Sequence, residues 1–240
     1  GSGAVQIFVG SSSGFDWTQS TLWTEDQLLA PGESEFGDRF GQALAAGDFD
    51  YDGYEDLAMG DPSEDVGASA NTGRVLLSFG SPNALIPTRV KNYLQSSIFG
   101  LPAYDGPDDS FGWALAAGDW NGDGAADLAM GIPLEDAGGA DRGGVAVLTS
   151  FNVAGNYGAY RFFAIGTAGI PPAVQNSADA GRALGVGDFD GDGYDDLVIG
   201  VPYWNSLDVV DSGRETILYG SFFSDGFEGG STFEWSATVP

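Results

Sequence analysis

The 240-residue chain sets 35 acidic residues against eight basic ones, for a net charge of −27, and holds neither histidine nor cysteine. So acidic a surface repels nucleic acid and anionic membranes, which excludes both as direct partners. Without His or Cys there is no Ser-His or Cys-His nucleophile pair, no disulfide and no thiolate zinc site, and no apolar run reaches the roughly eighteen residues of a membrane-spanning helix.

Gly3–Gly10 reads as a strand, and Thr21–Glu25 as a second, less regular one. Ala43–Gly47 is a short apolar run that leads into an acidic stretch, residues 48–56, and Asp56–Gly60 leads out of it. A turn at Asp61-Pro62, a polar loop over Ser63–Thr72, a strand over Gly73–Gly80 and a fourth over Thr88–Leu94 follow. The order then repeats: Ala114–Gly118, acidic residues 119–127, Asp127–Gly131, Ile132-Pro133, Leu134–Arg142, a strand over Gly143–Leu148 and another over Ala159–Ile165. It repeats once more as Ala183–Gly187, acidic residues 188–196, Asp196–Gly200, Val201-Pro202, Tyr203–Ser212, Gly213–Gly220 and Thr232–Ser236. Short apolar runs closed by Gly are expected of strands buried on both faces. Helix-period patterning never lasts a full window, so no helix is expected.

The four strands that open on Gly3, Gly73, Gly143 and Gly213 lie at a constant spacing of 70 residues. Four short antiparallel strands per repeat, with a long return to the next, describe a blade of an all-β β-propeller. A solenoid coil is much shorter, and a sandwich has no reason to repeat one loop three times. The expected division is a partial blade of outer strands (1–35), then blades at 36–105, 106–175 and 176–240. Each of these three holds one acidic loop (48–56, 119–127, 188–196), and the last includes the tail.

The loops share a register. Positions 1, 3, 5 and 9 carry oxygen side chains: Asp48, Asp50, Asp52 and Asp56; Asp119, Asn121, Asp123 and Asp127; Asp188, Asp190, Asp192 and Asp196. Position 6 is Gly53, Gly124 or Gly193, which permits a sharp turn, and position 7 offers the carbonyl of Tyr54, Ala125 or Tyr194. Calcium takes six to eight such oxygens at about 2.3–2.6 Å. An EF-hand needs a bidentate Glu at position 12, where Met59, Met130 and Ile199 stand, so that reading fails while three calcium sites remain. Asn121 gives the middle loop one ligand charge fewer. Because each ligand set comes from one hairpin, calcium is expected to be structural.

These residues closely resemble the FG-GAP repeat of integrin alpha-subunit propellers and of bacterial secreted proteins. The FG element is Phe40-Gly41 and Phe111-Gly112 and degenerates to Ala180-Gly181. The GAP element is Gly60-Asp61-Pro62, Gly131-Ile132-Pro133 and Gly200-Val201-Pro202. The resemblance covers residues from about 3 to 220 and implies a propeller with its calcium-loaded hairpins on the lower rim. Integrin propellers have seven blades, whereas three and a half repeats leave exposed sheet edges that proteins normally cover. Either the chain closes through pairing with Gly3–Gly10, or it associates with missing blades or another chain as a homo-oligomer. The tail from Ser224 to Ser236 is either the natural terminus of a secreted bacterial protein or an outer strand.

The resulting expectation is a non-enzymatic, calcium-binding module, secreted or at the cell surface and of bacterial origin, that adheres to protein or carbohydrate ligands. It is expected neither to bind nucleic acid nor to insert in a membrane. The alternatives are a non-catalytic propeller segment of a larger secreted enzyme and a self-assembling half-propeller. No catalytic residue is assigned: Glu64-Asp65 and Glu135-Asp136 recur at equivalent positions, which favours structure over a unique active site. Trp17, Trp23, Tyr203 and Trp204 either pack between blades or stack on a ligand. Arg74 and Arg214 are repeat-equivalent and are expected to pair with a neighbouring blade's carboxylates.

Overall fold

The computed structural model describes residues 1–12, 14–82, 84–100, 105–136, 141–164, 177–205 and 211–220. Its strands form four antiparallel sheets. β1 (Val5–Ser11) pairs with β2 (Gly14–Trp23). The first full blade runs in chain order through β3 (Leu44–Gly47), β4 (Asp56–Asp61), β5 (Arg74–Ser78) and β6 (Val90–Tyr93). The middle blade repeats this with β7 (Leu115–Gly118), β8 (Asp127–Ile132), β9 (Gly144–Thr149) and β10 (Ala159–Ala164). The last blade comprises β11 (Ala183–Gly187), β12 (Asp196–Val201) and β13 (Arg214–Leu218) among the described residues. The chain is an all-β protein of propeller blades.

Its apolar cores lie between sheets, which is why strands such as β5, β8 and β9 are buried along their whole length. One core joins Phe49, Val75, Leu77 and Phe79 to Leu128, Met130 and Leu148 of the middle blade. The next joins Trp120, Val145 and Val147 to Leu197, Ile199 and Leu218. The third seats Val5, Trp23 and Leu28 against Phe40, Met59 and Leu76.

The 70-residue glycine period has a backbone cause. Gly3, Gly73 and Gly143 form parallel bridges to Phe40, Phe111 and Ala180, the first residues of the FG elements. A Cβ on Gly73, where φ is +84°, would stand 2.3 Å from the Phe111 carbonyl oxygen. The degenerate third FG element keeps Gly181 because its φ is +85° and a Cβ there would lie 2.3 Å from the Gly144 carbonyl.

Two expectations need correction. Short helices do occur: α1 (Glu25–Leu28) and α2 (Gln95–Phe99). In each, the side chain three residues in accepts from the first backbone N–H, Gln27 Oε1 from Thr24 at 3.1 Å and Ser97 Oγ from Leu94 at 2.9 Å. Single turns are too brief to register as helical periodicity, and local capping and packing hold them instead. The second strand also starts at Gly14, well before Thr21, because it pairs along all of β1. The expected strand Thr232–Ser236 and the tail lie outside the described residues.

Candidate functional site

The loops are the β3–β4, β7–β8 and β11–β12 hairpins, closed by the pairs Gly47↔Asp56, Gly118↔Asp127 and Gly187↔Asp196. The position-1 aspartate gathers the turn. Asp48 accepts from the N–H groups of Asp52 and Gly53 at 3.0 and 2.8 Å. Asp119 accepts from Gly122, Asp123 and Gly124 at 2.7–3.2 Å, and Asp188 from Gly191, Asp192 and Gly193 at 2.7–3.1 Å. The position-5 carboxylates accept from the N–H of position 7: Asp52 from Tyr54 at 3.0 Å, Asp123 from Ala125 at 2.9 Å and Asp192 from Tyr194 at 2.9 Å. The glycines at position 6 have φ of +87°, +88° and +94°.

Position 4 is left-handed as well, with φ of +72° at Gly122 and +78° at Gly191 but also +58° at Tyr51. Sequence reasoning passed over this second turn point, although Gly-x-Gly in two loops was its signal. Rings from the flanking loops cover the middle loop: a Cβ on Gly122 would meet the Tyr194 ring at 2.1 Å, and one on Gly124 the Tyr51 ring at 3.2 Å.

Position 9 is a buried hub. Asp56 accepts from Phe49 N–H at 3.0 Å and Gly80 N–H at 2.7 Å, which ties the loop to the end of β5. Asp196 does the same with Phe189 at 2.7 Å and Gly220 at 2.9 Å, and Asp127 with Trp120 at 3.1 Å and Ser150 at 3.4 Å. Burial, with the charges of Asp50 and Asp52 adding to it, pushes Asp56 up to about 6 against these donors. Burial and Asp123 push Asp127 up to about 8. Both carboxylates would gain from a nearby positive charge.

In the first loop, oxygens of Asp48, Asp50 and Asp56 lie within 4.8 Å of one another, and in the third loop so do those of Asp188, Asp190 and Asp196. The first loop already holds one cation. Arg89 pairs with Asp50 Oδ2, approaches Asp52 at 3.7 Å and lies 4.5 Å over the Phe79 ring. Asp50 Oδ1 remains buried without a hydrogen-bond partner. In the middle loop Asn121 turns its amide nitrogen to Asp127 Oδ1 at 3.2 Å and to Ser150 Oγ at 3.4 Å, while Ser150 Oγ donates to Asp123 at 3.0 Å. An all-oxygen donor set with an unpaired buried carboxylate oxygen fits a hard cation in the first loop. The third loop has the same donor set. The middle loop satisfies its own carboxylates with neutral donors and fits less well.

The loops also lock blades together. Ala126 N–H donates to the Asp48 carbonyl at 2.9 Å, and Asp195 N–H to the Asp119 carbonyl at 3.2 Å. At the equivalent polar turns, Asp65 accepts from Asn71 N–H at 2.9 Å, Asp136 from Asp141 N–H at 2.8 Å, and Asn205 from Asp211 N–H. Trp23 is buried in a core and Trp204 packs against another, with Arg214 4.9 Å over its ring. Tyr203 is exposed, whereas the Trp17 side chain lies outside those described. The face at the other end of β3, β7 and β11 carries an open depression of about 780 Å³, lined in part by Arg39, Trp113, Asp179 and Tyr203. There the Arg39 and Arg182 guanidiniums lie 5.6 and 4.8 Å from the Trp113 ring centre.

The FG-GAP repeat family matches residues 40–78, 111–148 and 180–217, each spanning an FG element, an acidic hairpin and the strand beyond it. The chain is an FG-GAP repeat protein. It is 34% identical over 148 residues to phosphatidylinositol-glycan-specific phospholipase D of Bos taurus, covering 62% of this chain and 17% of that protein. The Rattus norvegicus phospholipase is 29% identical over 187 residues, or 78% and 20% of the two chains. Integrin alpha-PS2 of Drosophila melanogaster is 27% identical over 194 residues, or 75% and 12%. The FG-GAP repeats thus correspond to a fifth or less of these relatives, and the activity in the phospholipases' name belongs to much longer proteins. Among the described residues no helix is long and apolar enough to cross a membrane.

Proposed function

We propose that the chain is a calcium-stabilised recognition module that works outside the cell. The observation that carries this reading is the convergence of carboxylates in hairpins that also bond blade to blade. Asp48, Asp50, Asp52 and Asp56 with the Tyr54 carbonyl would hold one ion, and Asp188, Asp190, Asp192 and Asp196 with the Tyr194 carbonyl another. Asp119, Asn121, Asp123, Asp127 and the Ala125 carbonyl would form a third, weaker site. Bound calcium supplies positive charge that offsets the mutual repulsion of these carboxylates. Such loops are filled at millimolar calcium, which supports an extracellular setting.

Recognition of protein or carbohydrate is assigned to the opposite face, where Trp113 and Tyr203 offer rings for stacking and Arg39 offers charge. The similarity to integrin alpha-PS2 supports adhesion. A second reading, a non-catalytic propeller segment of a larger secreted enzyme, is favoured by the phospholipase matches, which cover at most 20% of those proteins. Calorimetry in millimolar calcium against excess chelator tests the metal assignment. Each site contributes up to about 1.4 kcal/mol at a tenfold excess over its Kd, so chelation, which empties all of them, should lower Tm by several degrees. An unchanged transition overturns it. For recognition, saturable binding to a glycan panel or to intact cells should disappear in Trp113→Ala, and equal binding by the variant would remove that face from consideration.

A further inference from the structure

A separate acidic cluster lies between the N-terminal hairpin and the first full blade, at the far end of β4 from the loops. Arg74, on β5 and 2% exposed, pairs with four carboxylates: Glu25, Glu33 at 3.1 Å, Asp61 at 3.1 Å and Glu64 at 3.0 Å. Asp38 adds a fifth, accepting from Glu35 N–H at 2.5 Å. Carboxylate oxygens of Glu25, Asp38 and Glu64 lie within 4.8 Å of one another. One guanidinium therefore pairs with four of the five carboxyl groups in this cluster, and it is the only cation that the described ion pairs bring to them.

The unused oxygens point to a missing partner. Glu25 is 1% exposed and Asp61 fully buried, yet Glu25 Oε2 and Asp61 Oδ1 have no hydrogen-bond partner. The Glu25 carboxyl therefore meets the carboxylates of Asp38 and Glu64, acceptor against acceptor, within 4.8 Å. Leaving such groups unpaired in a low-dielectric site is costly. The next junction makes the contrast. Gln95 opens α2 as Glu25 opens α1, and its Nε2 donates to Asp109, the counterpart of Asp38, at 2.8 Å. Where the second junction places an amide donor, the first places a carboxylate. Ile132 and Gly144 also replace Asp61 and Arg74 there.

We propose that Glu25, Asp38 and Glu64, with Asp61 behind them, hold a hard divalent cation of the calcium class that is additional to those assigned to the loops. The donors are oxygens alone, which select calcium or manganese over softer metals. The ion would join α1 and the segment around Asp38 to the first full blade, bracing the N-terminal hairpin. The alternative is that shared protons satisfy the same oxygens.

Diffraction from crystals grown in manganese(II) distinguishes them, with calcium equilibrium dialysis on the parent chain, Glu25→Gln and Glu64→Gln. Glu25→Gln installs the residue that the second junction already carries, and the diffraction needs no variant. An anomalous peak among Glu25, Asp38 and Glu64 is expected, with one calcium fewer bound in each variant. No peak there, or unchanged stoichiometry in both folded variants, overturns the proposal. Peaks are read site by site, so the loops are judged separately.

Discussion

Trp120 and Phe189 occupy the same second position of equivalent loops, yet Trp120 is fully buried and Phe189 is 56% exposed. Phe49, their counterpart in the first full blade, is fully buried as well. Phe49 and Trp120 each pack into the core shared with the following blade. No described strand follows the last blade, and its sheet opens accordingly: β13 is largely exposed or half-buried, whereas β9 is buried throughout. A repeat therefore encodes a blade with a ready face, and only a neighbour turns that face into core.

The most demanding test of this difference is paired truncation. Trp120→Ala should cost about 3–5 kcal/mol in denaturant unfolding, whereas Phe189→Ala should cost under about 1 kcal/mol. Equal losses would mean that Phe189 is covered in solution.

Glycines of the GAP element give the next contrast. A Cβ on Gly131 would stand 2.0 Å from the Gly181 carbonyl of the next blade, but one on Gly200 meets nothing nearer than Ala183 at 3.3 Å. Gly131→Ala should destabilise by about 3 kcal/mol, because backbone cannot move aside, and Gly200→Ala by under about 1 kcal/mol. Matching thermal shifts for the two would break the comparison.

Carboxylates at the junctions differ too. Asp109 is held by Gln95 Nε2 at 2.8 Å and Gly106 N–H at 3.0 Å, whereas Asp179 pairs with Arg182. Burial raises Asp109 from 3.8 to about 6, so the folded chain binds the extra proton between those values. Its contribution to stability is greatest below pH 4 and falls as pH rises through 6, by on the order of 2 kcal/mol. Asp109→Asn should flatten that part of the stability profile in chelator, and a parent-like slope would contradict it.

The smallest effect concerns Tyr51, which is forced to φ +58° where the other loops use glycine. Tyr51→Gly removes left-handed strain but also the ring over Gly124, so unfolding free energy should rise by under about 1 kcal/mol. A marked loss would show that the ring contact outweighs the strain.

Much of the fold was legible because its determinants are local or periodic. The Gly at residues 3, 73 and 143, the paired strands and the 1-3-5-9 oxygen register all show in composition and spacing. The family assignment follows from the same residues. What stayed hidden depends on chain-distant partners. Position 9 is also a backbone hub, and only the fold brings Gly80 or Gly220 to it. Arg89 reaches Asp50 across 39 residues, and Arg74 reaches Glu25 across 49. Single-turn helices escaped notice because capping and packing form them, not periodicity.

By itself, then, the sequence determined the blade: its strand order, its acidic hairpin and the glycines that let backbones touch. Tertiary structure decided which copies of each repeated residue are buried, which carboxylates meet a cation or an amide, and which face stays open. The reason is physical: hydrogen-bond geometry and turn sterics are set within a repeat, whereas burial and charge compensation belong to the junctions between repeats.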